Sequence, residues 1–287
     1  MTIEGMSDVT IGLLHPGEMG AAVGQCLTMA GHEVLWAAEG RSPVTAERAK
    51  AAGLIAVEMG EIAARSGVIV SVCPPHAARQ VALEVARVGF GGLYVDANAI
   101  SPASAREIAT LVGAAGADYV DGGIIGSPPV AAAFIRIYLS GPLAPDVQAL
   151  FEGSPAEARV ITGAGDVAAS AMKMAYASWT KGSAALVLAA RALARAEGVE
   201  ETLLAEWATS QPGREQQTER AAGSAAGKGW RWVAEMEEIA ATMATAGLPD
   251  GFHQAAAEVY GRSPHDAGAS TEEVLGAIQT GPRRSDR

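Results

Sequence analysis

The stretch IGLLHPGEMG, residues 11–20, decides the fold. Its first four residues read as a short apolar strand. The segment from Gly17 onwards, GEMGAAVGQCLTMAG, spaces its apolar residues as a helix and stops at Gly31. Between the two lies a glycine turn. A strand that turns tightly into a helix aims the first-turn N–H groups at whatever sits above the strand end. Those groups lack internal partners, and the helix dipole favours an anion there. In the pattern G-x-G-x-x-G the first glycine makes the turn, the second lets a pyrophosphate approach the backbone, and the third lets the helix pack on the strand. Here His15 stands first, while Gly17 and Gly20 fill the other two positions. His-Pro can still form a turn, because Pro16 fixes its own φ. The loop His15, Pro16, Gly17, Glu18, Met19 and Gly20 therefore reads as a working dinucleotide loop. A glycine-rich packing turn in another α/β fold is the alternative.

Working outward, strand-like runs alternate with helical ones. EVLWAA, GVIVSVC, GLYVDAN and DYVDGGII are strands, separated by helical stretches such as SPVTAERAKAAG and SPASAREIATLVGAAG. Both of these begin Ser-Pro, a helix start in which serine caps and proline takes the first turn. Such alternation predicts βαβ units and a mostly parallel sheet. Near Val160 the style changes. From Asp166 to about Glu197 the pattern is almost unbroken helix, and more helices follow at about 200–210, 214–223, 230–246 and 249–261. The reading is a Rossmann-type α/β dinucleotide-binding domain over 1–163 and an all-α helical domain over 164–287. A helix of about 30 residues is about 45 Å long, more than one small domain buries. It is expected to run into a second copy, giving an intertwined homodimer.

Cofactor choice is read after the second strand, at WAAEGRS. An acid there binds a ribose 2′-OH, and an arginine holds a 2′-phosphate. Glu39 and Arg41 are both present. Arg41 with Ser42 at a helix start favours NADP, and Glu39 leaves NAD open. The formal net charge of −11 over 287 residues excludes a nucleic-acid partner, which needs clustered Lys and Arg. Two cysteines, Cys26 and Cys73, make neither a disulfide framework nor a zinc site. A reducing, cytoplasmic setting, with no membrane or metal, is expected.

Several motifs occur together in order. HPGEMG and AGHEV resemble the G-L-G-x-M-G and G-H-x-V of the β-hydroxyacid dehydrogenase and 6-phosphogluconate dehydrogenase superfamily, which includes the imine reductases. VDANAISP resembles its D-x-S-T-x-x-P, with Asn98 in the place of Ser or Thr. GAGDVAASAMKMAYA resembles its G-x-G-x-x-x-x-x-x-K-x-x-N-N, which puts Lys173 at the catalytic lysine. The resemblance covers most of residues 8–200. It implies cofactor contacts from loop 15–20, Arg41, Ser42, Cys73, Pro74, Pro75 and Asn98. It also implies that Lys173 moves a proton during hydride transfer.

Three departures bear on substrate. Where the dehydrogenases carry D-x-P-V-S-G-G this chain has DGGIIGS, with Ile125 in the serine position. The Asn-Asn after the lysine is replaced by Tyr176 and Ala177. The helix that supplies a lysine-aspartate pair carries Glu237 and Glu238 instead. A carboxylate needs donors or a cation where it binds, or its desolvation goes uncompensated. A neutral or cationic substrate fits better, and YVDGGIIGSPP resembles the imine reductases. The expected activity is hydride transfer from NADPH to a C=N bond, with Lys173 and Tyr176 as catalytic groups. Ile124, Ile125, Gly126, Ser127, Trp232, Met236 and Glu237 would line the substrate. Two alternatives stand beside it: a β-hydroxyacid dehydrogenase with Lys173 as general acid/base, and a catalytically silent dinucleotide sensor.

Overall fold

The computed structural model describes residues 9–126 and 135–281. The chain divides into two compact units, Met1–Lys173 and Met174–Arg287. The division falls inside a continuous helix, later than the change of style at 163–164. The reason is local: the first turns of that helix pack on the sheet of the first unit.

The first unit runs β1 (Ile11–Leu14), α1 (Glu18–Met29), β2 (Val34–Ala37), α2 (Pro43–Ala51), β3 (Ile55–Val57), α3 (Met59–Arg65), β4 (Val68–Ser71), a 3-10 turn (Pro75–Ala77), α4 (Ala78–Arg87), β5 (Leu93–Asp96), α5 (Pro102–Ala114), β6 (Asp118–Ile125), β7 (Arg136–Ser140), α6 (Ala144–Ala149) and β8 (Glu157–Val160). The strands form one sheet in the order β3-β2-β1-β4-β5-β6-β7-β8. The pairs from β3 to β6 are parallel, β6–β7 is antiparallel and β7–β8 parallel. Strands β1, β4 and β5 are buried along their whole length, as a sheet covered on both faces requires. Ile11, Leu13, Val68, Val70 and Val95 pack with α1, α2 and α6 on one face. Leu14, Ile69 and Tyr94 pack with α3, α4 and α5 on the other.

Elements β3, α3, β7, α6 and β8 go beyond the sequence reading. β3 and β8 are short edge strands with half-exposed patterns, too brief to show an alternation. Among the described residues the second unit is purely helical: α7 (Ala168–Ala196, which begins in the first unit), α8 (Glu200–Ser210), α9 (Arg214–Thr245), α10 (Gly251–Arg262) and α11 (Thr271–Thr280). The two helices expected at 214–223 and 230–246 are one. Gly223, Gly227 and Gly229 suggest a break, since each costs roughly 1 kcal/mol in a helix. Packing offsets this at Gly229, where an added Cβ would lie 3.4 Å from the Tyr260 ring.

Candidate functional site

Strands β1 and β4 are neighbours, and the chain winds outward from them in both directions. Their C-terminal ends form the crevice where open α/β sheets bind ligands. The loop there is tight. Gly17 N–H donates to the His15 carbonyl at 2.7 Å. A Cβ on Gly20 would stand 2.3 Å from that same oxygen, so any side chain there breaks the turn. Gly17 is exposed, and a Cβ on it would meet only the His15 oxygen at 4.0 Å. Backbone is thus open to an approaching phosphate at the start of α1, as a pyrophosphate needs. Pro16 is buried beneath the turn, and Met19 is partly buried against the core.

His15 takes φ 67°, the one non-glycine residue in the left-handed region among those described. That backbone costs about 1–2 kcal/mol for a residue with a Cβ. Its Nε2 accepts a hydrogen bond from Arg41 Nη2 at 2.7 Å. Burial, and then the Arg41 charge, push the His15 pKa down to about 4, against a weaker opposing effect of Glu84. The ring is therefore neutral at pH 7, with the Nε2 lone pair free to accept.

Arg41 reaches the loop because β2 ends in a turn. Arg41 N–H donates to the Ala38 carbonyl at 3.2 Å, and Gly40 takes φ 70°. Ser42 then caps α2, accepting from Thr45 N–H at 3.3 Å. Glu39 is exposed on the same turn. Arg48 Nη1 adds a contact to the Pro16 carbonyl at 3.5 Å.

Asn98, 2 % exposed, knots the next two strand ends. Its Oδ1 accepts from Cys73 N–H at 2.6 Å, its Nδ2 donates to Ser71 Oγ at 3.1 Å, and its own N–H donates to Asp96 Oδ1 at 3.1 Å. Burial raises the Asp96 pKa to about 7, opposed by the Asn98 N–H and assisted by the Asp121 charge. Burial and then Asp96 push the Cys73 thiol up to about 12, so it stays protonated at neutral pH. Pro74 is exposed, and Pro75 opens the 3-10 turn.

Lys173 lies in the second turn of α7. Its Nζ donates to the Ile124 carbonyl at 2.9 Å. Gly123 permits this approach, since a Cβ there would come within 2.8 Å of the Ala169 carbonyl and 3.1 Å of Lys173 Cβ. Asp121, fully buried, anchors the helix start. It accepts from Ser170 N–H at 2.8 Å, Ser170 Oγ at 2.5 Å and Ser140 Oγ at 3.0 Å. Burial raises its pKa while the serine donors oppose the rise. Ile124 and Ile125 are buried, Gly126 is exposed, and Ser127 lies outside the described residues. Asp96, Asp121, Ser71, Ser140 and Ser170 were not singled out from the sequence. The visible signals were the acids closing VD in VDAN and preceding the glycines in DGGII.

In the second unit Tyr176, 44 % exposed, stands three residues after Lys173 on α7. Trp232 packs edge-on to Tyr260 with centroids 5.0 Å apart, and Lys181 Nζ sits 5.3 Å from its ring centre. Lys181 is ion-paired with buried Glu235. Met236 is fully buried and Glu237 exposed. Among the described residues no group of three His, Cys, Asp or Glu is placed to hold a metal, and no helix is long and apolar enough to cross a membrane.

Residues 10–144 match the family described as the NAD binding domain of 6-phosphogluconate dehydrogenase. An NAD-binding domain of the 6-phosphogluconate dehydrogenase type therefore lies within the first unit. Residues 194–263 match a second family, described as a domain of unknown function, DUF1932. Among solved structures, the conserved protein MTH1747, of unknown function and structurally similar to 3-hydroxyacid dehydrogenases, is 26 % identical, with a TM-score of 0.63 over 94 % of this chain and 95 % of that one. Mycobacterium tuberculosis 3-hydroxyisobutyrate dehydrogenase, solved with L-serine, is 20 % identical, with a TM-score of 0.69 over 95 % and 99 %. A Myxococcus stipitatus imine reductase variant, solved with NAD+, is 21 % identical, with a TM-score of 0.55 over 94 % and 99 %. The last two likenesses speak to the fold of this chain. No curated protein sequence matches.

Proposed function

We propose that this chain is an NADP-dependent reductase of the imine reductase-like branch of the β-hydroxyacid dehydrogenase superfamily, acting on a C=N bond in an apolar or aromatic substrate without a carboxylate. The observation that carries this reading is the setting of Lys173. Its ammonium is fixed to the backbone of Ile124, in a segment whose next side chain is Ile125. A proton-bearing group thus stands beside an apolar wall, and Ile125 offers no donor where a carboxylate would need one.

Loop 15–20 would hold the pyrophosphate, Arg41 and Ser42 the 2′-phosphate, and Cys73, Pro74, Pro75 and Asn98 the far ribose. Bound there, NADPH supplies hydride. Reduction of a neutral C=N bond also takes up one proton at nitrogen, and Lys173 is positioned to give it. Tyr176, one helical turn on, is a second donor at the same end of α7. Glu237, with Trp232 and Met236, belongs to the helical unit, where its carboxylate would favour the positive charge that nitrogen gains on protonation.

A second copy completes the protein in this reading. Helix α7 leaves Trp179, Leu186 and Leu193 exposed at seven-residue intervals, on one face of the helix. Large apolar side chains in such a row call for a partner surface, and an intertwined homodimer supplies one.

The alternative reading, exchange of hydride with a C–OH or C=O group using Lys173 as general acid/base, draws on the same lysine geometry. Purified protein tests both. NADPH oxidation with a panel of cyclic imines, lost in Lys173→Ala and reduced in Tyr176→Phe, supports the first. Turnover confined to hydroxy or keto acids supports the second. Tight cofactor binding with no turnover on either panel makes the chain a dinucleotide sensor.

A further inference from the structure

We infer that His15 is the positioning residue of Arg41 and thereby sets the selectivity for a 2′-phosphorylated dinucleotide. This rests on the NADP reading above. Three observations converge on it. First, His15 occupies a left-handed backbone position that glycine would fill without strain. A histidine at such a position calls for a compensating interaction. Second, the one side-chain hydrogen bond described for its ring is the 2.7 Å bond from Arg41 Nη2 to Nε2. Third, the ring is held neutral by burial and by the arginine itself, so it accepts at physiological pH instead of repelling the guanidinium.

Arg41 is otherwise an exposed side chain on a surface turn. Left alone it samples many rotamers, and ordering it on binding weakens affinity. One of its five N–H donors goes to His15, and the others remain for an anion. His15 also belongs to the turn that precedes α1, so the bond ties the guanidinium to the anion-binding loop. The first position of the fingerprint has therefore exchanged a turn-making glycine for a side chain that reaches the residue read out after β2. The shape of the turn survives because the Gly20 approach and the Gly17 N–H bond both use the backbone oxygen of residue 15.

The test is calorimetric binding of NADPH and NADH, and of 2′-AMP against adenosine, to wild type, His15→Gly, Arg41→Ala and the double variant, with thermal unfolding of each. His15→Gly should weaken NADPH and 2′-AMP roughly three- to tenfold more than it weakens NADH. Its unfolding temperature should equal or exceed that of wild type, since glycine relieves the backbone. In the Arg41→Ala background the same change should weaken NADPH no more than NADH. A selective wild type whose selectivity survives His15→Gly overturns this inference alone. So does an equal loss for NADPH and NADH, which would mark a general role in loop shape. A wild type without preference for the 2′-phosphate, unaffected by Arg41→Ala, overturns the NADP reading and this inference with it.

Discussion

The buried carboxylate of Asp121 accepts both the backbone N–H and the hydroxyl of Ser170, at 2.8 and 2.5 Å. This clamps the first turn of α7 to β6, three residues before Lys173. A carboxylate at a helix N-terminus also meets the positive end of the dipole. Asp121→Ala leaves the N–H and hydroxyl of Ser170 without their acceptor in a dry site, while Ser140 keeps the Asp166 carbonyl. A loss of about 3 kcal/mol in stability is expected, read by urea unfolding. Turnover should fall well beyond the loss of folded protein, while NADPH affinity stays within about twofold.

Gly123→Ala tests the same junction from the sheet side. The new methyl meets a backbone carbonyl at 2.8 Å and Lys173 Cβ at 3.1 Å. Helix α7 must shift, at a cost of about 1–3 kcal/mol. The outcome to measure is kcat, which should drop at least tenfold, beside a KM for NADPH that hardly moves.

Asp96 gives a pH signature. Its folded pKa is about 7, raised above that of an unfolded aspartate, near 4. Between those values the folded state binds more protons than the unfolded one. This group therefore contributes less stability as pH rises from about 4 to about 7, and the loss is complete above that. Asp121 acts in the same direction. His15, whose pKa is lowered, acts oppositely and loses stability as pH falls from about 6.5 to about 4. The clean readout is the difference between wild type and Asp96→Asn. Urea midpoints should approach one another as pH falls to about 4 and separate at pH 8 in favour of the asparagine variant.

The exposed row on α7 predicts self-association. Wild type should sediment as a dimer at micromolar concentration. Leu186→Glu with Leu193→Glu places charges in the apolar row and should give a folded monomer with unchanged helical circular dichroism. A monomeric wild type would remove the homodimer from the account.

Much of the first unit was legible because parallel strands buried on both faces are written as unbroken apolar runs, such as VIVS in β4. Edge strands β3 and β8 carry no such run, and they were missed. The Ser42 and Ser101 caps were legible because serine-proline before a helix has a single local cause. The glycines of α9 misled; at Gly229 the reason is the approach of Tyr260 on α10, which no local pattern shows. In the site, Lys173 was visible through a motif and Gly17 and Gly20 through their spacing. The Asp121–Ser170 clamp and the Asn98 knot join residues far apart in the chain, so only the fold brings them together. The His15–Arg41 bond belongs to the same class: both residues had been marked, and their contact had not.

The central claim is that Lys173 serves reduction of a C=N bond in a substrate without a carboxylate. The most direct measurement compares kcat/KM, with NADPH, for a cyclic imine and for a keto acid of similar carbon skeleton, in wild type and Lys173→Ala. The imine should be preferred by at least about a hundredfold. Lys173→Ala should lose about a hundred- to ten-thousandfold on the imine while still binding NADPH. Preference for the keto acid, or an imine rate untouched by Lys173→Ala, would contradict it.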